Sequence, residues 1–67
     1  MTFRQWLMGR VKDDSALGDL ARDFRDDRCM RGRTEQAQRE HLEEHGAMQA
    51  ALDVHAEAWR RYREQAA

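Results

Sequence analysis

Five consecutive residues near the middle of the chain, His41-Leu42-Glu43-Glu44-His45, have the types and spacing of a zinc-hydrolase helix. In an H-x-x-E-H segment the two imidazoles stand four residues apart, about 6 Å from each other on a helix. They can share a metal while the glutamate activates a bound water. A catalytic zinc also needs a third protein ligand and a cleft for substrate, and a chain of 67 residues offers little room for either. The expectation is a solvent-edged helix in which His41 and His45 pack beside Leu42, with no catalytic residue, cofactor or metal. The weaker alternative is a non-catalytic zinc or nickel site that recruits Cys29.

The other candidate nucleophiles and bases stand alone. Ser15 is the only serine and Cys29 the only cysteine. Arg28 and Arg31 flank the thiol, yet a partly buried, inert loop thiol is the simpler reading. His55 falls on an apolar stripe between Leu52 and Trp59, where a hydrogen-bonded core histidine is expected rather than a general base. Enzymatic function is not expected.

Charge is the second kind of chemistry on offer. Charged residues make up 37% of the chain, but they leave a formal net charge of only -1. That argues against a nonspecific nucleic-acid binder, which carries a clear basic excess. The charges are segregated. Asp19, Asp23, Asp26 and Asp27 acidify the outer face of one segment. Arg28, Arg31 and Arg33 form one basic cluster, and Arg60, Arg61 and Arg63 form another near the end. Separated patches of both signs suit a complementary protein surface. They also raise the prospects of weak self-association and, as the alternative function, of nucleic-acid binding through the arginines.

Helices must position these groups. Thr2 is placed to cap a first helix in which Phe3, Trp6, Leu7 and Arg10 share a face. Val11 to Asp14 read as a linker, and Ser15 caps a second helix whose Leu17, Leu20, Ala21 and Phe24 recur at i, i+3, i+4 and i+7. Gly18 interrupts that pattern, which predicts a close helix–helix approach there. Arg28 to Arg33 read as a loop anchored by Cys29 or Met30. Thr34 caps a third helix that runs to about Glu44 or His45, with Gly46 as its stop. The fourth runs from about Ala47 to Gln65. Met48, Leu52, His55, Trp59 and Tyr62 form its inner stripe, widened by Ala51, Val54 and Ala58. Four of the five aromatic residues lie near the two ends of the chain, so the ends are expected to meet in one core. The predicted core is Phe3, Trp6, Leu7, Leu17, Leu20, Phe24, Leu42, Met48, Leu52, His55, Trp59 and Tyr62.

The predicted fold is a single domain over residues 1–67: all-α, a compact orthogonal four-helix bundle. A resemblance sharpens this. Phe3-Arg4-Gln5-Trp6-Leu7-Met8 resembles the F-x-x-W-L-M opening of YozE-type bacterial proteins. Leu17-Gly18-Asp19-Leu20-Ala21-Arg22-Asp23 resembles that family's I-G-D-L-A-x-D segment, and Leu42-Glu43 matches a Y-L-E element with His41 at the tyrosine. His55-Ala56-Glu57-Ala58-Trp59-Arg60-Arg61-Tyr62 is similar to F-x-x-A-W-x-x-Y. Two departures stand out: Cys29-Met30 replaces an apolar-proline pair, and His55 takes an aromatic core position. The resemblance implies a fold of the sterile alpha motif (SAM) type and transfers no established activity. Folds of that type mostly bind other proteins. One cysteine, no apolar run of a signal peptide and no stretch near the ~20 residues that cross a bilayer predict a cytoplasmic protein without a membrane partner. Together these observations predict a small interaction module with an unidentified protein partner.

Overall fold

The computed structural model describes residues 1–66. Four helices follow one another: α1 (Phe3–Met8), α2 (Ala16–Asp26), α3 (Glu35–Glu44) and α4 (Gln49–Ala66). Three of the four starts are made by the side chains expected to make them. Thr2 Oγ1 accepts from the Gln5 backbone amide at 3.1 Å, and the Thr2 backbone amide donates to Gln5 Oε1 at 2.9 Å, closing a reciprocal capping box. Ser15 accepts from Gly18 N and Thr34 from Ala37 N. At the end of α3 the chain turns at Gly46, whose φ of +75° is a left-handed conformation that L side chains avoid.

α4 is the spine of the molecule, packing against each of the other three helices, while α1 also packs on α2. The two chain ends meet in the core. Phe3 stacks on Trp59 with ring centroids 4.2 Å apart and planes 7° from parallel, and it meets Phe24, His55 and Tyr62 edge-on. Trp6 Nε1 donates to Gln65 Oε1 at 2.8 Å, and Tyr62 Oη donates to the Met1 carbonyl at 2.6 Å. Phe3, Trp6, Leu7, Leu20, Phe24, Leu52 and His55 are buried. Leu17, Leu42, Trp59 and Tyr62 are half-buried and packed against that cluster. Ala21 and Ala58, both fully buried, supply the small surfaces that let helices approach.

Three expectations are corrected. Met48 stands outside the core, 78% exposed, because α4 begins at Gln49 and Met48 belongs to the connection before it. Met48 contributes its backbone, accepting from Ala51 N and Leu52 N. Arg10 lies past the end of α1 and folds back, its guanidinium 4.4 Å above the Trp6 ring. Gly18 does mark a close approach, but to the connection before α2 rather than to a helix: a Cβ there would stand 1.9 Å from the Asp13 carbonyl oxygen. Gly18→Ala is therefore expected to destabilise the fold by about 1–3 kcal/mol through overpacking, against the ~1 kcal/mol that alanine normally gains in a helix. A urea midpoint at or above that of the wild type would refute this.

Candidate functional site

The site follows from three local devices. The cap at Thr2 sets the first turn of α1, which places Phe3 in the core and Arg4 at its edge, where Arg4 Nη2 donates to the Phe24 carbonyl at 3.1 Å. The connection between α2 and α3 is pinned by Met30, which is buried, so the flanking Cys29 and Arg31 are turned to solvent. Gly32 then passes so close to α3 that a Cβ would lie 2.9 Å from the Ala37 methyl. α4 brings Trp59 and Tyr62 to the same place.

Between them lies a groove of about 830 Å³ lined by Met1 to Arg4, Met30 to Arg33, Gln38, Trp59 and Tyr62. Its floor is apolar and aromatic, and its charges are all of one sign. Among the described residues, no carboxylate lines it. Among the described residues, Arg4, Arg31 and Arg33 have no carboxylate within 4 Å. Unpaired guanidiniums beside an apolar floor can take a carboxylate or phosphate in bidentate geometry while covering apolar surface.

Beneath the groove sits a polar hub that the sequence reading missed. Gln38, 3% exposed, accepts at Oε1 from Trp59 Nε1 at 2.8 Å and meets His55 Nε2 at 2.9 Å. Its Nε2 donates to the Gly32 carbonyl at 3.0 Å. An indole nitrogen can only donate and a carbonyl can only accept, so both ends of the amide are fixed. His55 must therefore donate through Nε2, which leaves Nδ1 bare. That atom is buried with no hydrogen-bond partner among the described residues. A signal for Gln38 did exist. α3 carries only Ala37 and Leu42 as apolar residues, so a helix that buries a face must bury something polar, and Gln38 lies one turn from Leu42.

Burial holds the His55 imidazole below its ordinary pKa of 6.5; Glu35 opposes this and Arg39 reinforces it. In the unfolded chain the same group takes up a proton near 6.5, so below that pH the unfolded state binds more protons. The contribution of neutral His55 is complete above pH 6.5 and is lost as pH falls through the depressed folded value. The urea midpoint is expected to drop between pH 7.5 and 5.5, and His55→Phe is expected to flatten that dependence. An unchanged slope in His55→Phe would refute it.

The pair of His41, on α3, and His45, at its C-terminal cap, is placed differently. His41 Nε2 is bound to Asp27 Oδ2 at 2.8 Å, tying α3 to the end of α2, and the His41 and His45 rings lie 4.2 Å apart. The hydrogen bond from His41, followed by that from the Cys29 amide, holds the Asp27 carboxyl below its ordinary 3.8. Among the described residues, no three His, Cys, Asp or Glu side chains are grouped to hold a metal. Cys29 is exposed rather than partly buried, since Met30 takes the inward position.

The arginine clusters do not form one patch. Arg31 and Arg33 join Arg4 in the groove, while Arg28 is exposed outside its lining. Arg60 is bound by Glu57 and Glu64, and Arg61 by Glu57. Arg63 donates to Glu35 at 2.6 Å and lies 6.0 Å from the Trp59 ring. Among the acidic residues, Asp26 is paired with Arg25 and Asp19 with Arg22, whereas Asp23 has no cation within 4 Å among the described residues. No helix among the described residues is long and apolar enough to cross a membrane. No protein-family model, curated protein or solved structure matches the chain.

Proposed function

We propose that this protein is a non-enzymatic interaction module whose groove holds an acidic surface of a partner protein. The observation that carries the reading is the groove itself, which has an aromatic floor and three guanidiniums. Among the described residues, none of these guanidiniums has a carboxylate within 4 Å, and no carboxylate lines the site. The proposal includes the SAM-like, YozE-type assignment, supported by motifs that keep their order from Phe3 to Tyr62, and a cytoplasmic setting, supported by the single cysteine. Nucleic acid is the second candidate ligand. The half-buried Trp59 lies against Phe3 on one side and Arg63 on another, which leaves little ring face for stacked bases, so protein is favoured.

Trp59 also reports on the site. Titration with a peptide of alternating Glu and Leu is expected to shift the tryptophan emission saturably, with affinity falling as salt rises. Arg31→Glu together with Arg33→Glu is expected to weaken that binding at least tenfold, since two charge-assisted contacts are lost. If the peptide is silent and a single-stranded oligonucleotide shifts the emission, the ligand is nucleic acid and the protein reading falls.

A further inference from the structure

The segment that carries Arg31 and Arg33 alternates as a strand does, in a protein whose described elements are all helices. Residues 30–33 are neither helical nor in a turn. Met30 is buried, Arg31 exposed, Gly32 half-buried and Arg33 exposed. Alternation with period two is the mark of extended backbone. Both contacts of Gly32 agree with it. A Cβ on Gly32 would point at the Ala37 methyl, and the Gly32 carbonyl accepts from Gln38 Nε2 at 3.0 Å, so Gly32 faces α3.

In extended backbone the amide and carbonyl of one residue leave by the same edge, and those of its neighbours leave by the other. With the Gly32 carbonyl turned toward α3, the backbone polar groups of Arg31 and Arg33 turn away from it. Among the described residues, neither their amides nor their carbonyls have a hydrogen-bond partner. An open strand edge of this kind is a template for a second strand. Here it borders the groove, beside the aromatic floor of Phe3, Trp59 and Tyr62.

We propose that the acidic protein surface taken by the groove is an extended segment of the partner, added as a strand beside Arg31–Arg33. This inference rests on the groove reading and states the form of its partner. In strand addition the backbone pairing supplies affinity and alternate side chains supply specificity. Residues directly opposite one another on paired strands share a face, so carboxylates of the partner fall opposite Arg31 and Arg33. The residues between them fall on the face of Met30 and Gly32, toward the apolar floor. The segment that fits therefore alternates acidic and apolar residues. A helical ligand would leave the open edge unpaired, because its own amides and carbonyls are already bonded to each other.

Backbone N-methylation tests the pairing, because it removes amide donors and leaves every side chain of the peptide in place. Two forms of the Glu-Leu peptide are compared with the unmodified one, methylated at the glutamate amides or at the leucine amides. Only one of these sets can face Arg31–Arg33. By tryptophan emission at low salt, one form is expected to bind about tenfold more weakly or worse, and the other within about threefold of the unmodified peptide. At saturating peptide the amides of Arg31 and Arg33 are expected to exchange about tenfold more slowly, with that of Gly32 unchanged. Equal tolerance of both forms would mean that side chains alone hold the peptide. Equal loss would mean a ligand that is not a strand. Either result, or unprotected Arg31 and Arg33 amides, overturns the inference and leaves the groove reading standing. If the unmodified peptide does not bind, the groove reading falls and this inference falls with it.

Discussion

Replacing Phe3 with alanine is expected to unfold the protein. Phe3 is 3% exposed and touches Trp6, Phe24, His55, Trp59 and Tyr62, which makes it the side chain through which α1, α2 and α4 meet. Truncating a buried phenylalanine costs about 3–5 kcal/mol through lost transfer energy and the cavity left behind. A single core of this size supplies about 3–5 kcal/mol in total. The two figures are equal, so the variant should sit at or beyond its own midpoint at 25 °C. Far-ultraviolet circular dichroism should show helix loss and a melt without cooperativity. Phe3→Leu retains most of the buried area and should keep a cooperative transition at lower temperature. A near-wild-type melt of Phe3→Ala would mean that the two ends of the chain do not share a core.

The second large effect belongs to Gln38. Its side chain satisfies the Trp59 indole, His55 Nε2 and the Gly32 carbonyl at once. Gln38→Met keeps the length and removes all three partners. Each buried group left unsatisfied costs about 1–3 kcal/mol, so a loss of about 3 kcal/mol or more is expected in urea unfolding, along with a shift in Trp59 emission. Adding His55→Phe removes one of the orphaned donors. The double variant should therefore lose less than the sum of the singles, with a coupling of about 0.5–3 kcal/mol. Strict additivity, or a single variant within 0.5 kcal/mol of wild type by the same measurement, would show that the hub carries no weight. Because Gln38 also holds Gly32, its loss should loosen the segment that carries Arg31 and Arg33, coupling stability to binding.

Several of these features were readable from residue order. Thr2, Ser15 and Thr34 are caps because each stands one residue before an amphipathic segment and presents a hydroxyl to free amides. That is a local rule, and local rules need no fold. Phe3, Trp6, Leu20 and Phe24 reach the core because helical period decides which side they occupy. Met48 obeyed the same period and failed, since α4 starts one residue later and the period ends with the helix. Gly18 was recognised as a close approach, but its neighbour proved to be the Asp13 carbonyl, a contact that depends on the path of a connection rather than on any periodicity. Arg4 and Gln38 were missed for a common reason. Each matters through partners more than ten residues away, Phe24 for one and His55 and Trp59 for the other.

The sequence by itself determined four helical segments, three of them with a capping residue, the aromatic groups that join the first to the last, and a balance of charge without a basic excess. These are properties of composition and of spacing within a turn or two. Only the tertiary structure decided which charges remain free. Arg60 and Arg61 lose their availability to carboxylates on their own helix, and Arg63 loses its own to Glu35, 28 residues away. Arg31 and Arg33, joined by Arg4, keep theirs because the buried Met30 and the Gln38–Gly32 bond hold their segment over the aromatic floor, where no acidic side chain follows. An ion pair depends on distances across the chain, and those exist only once the helices have packed.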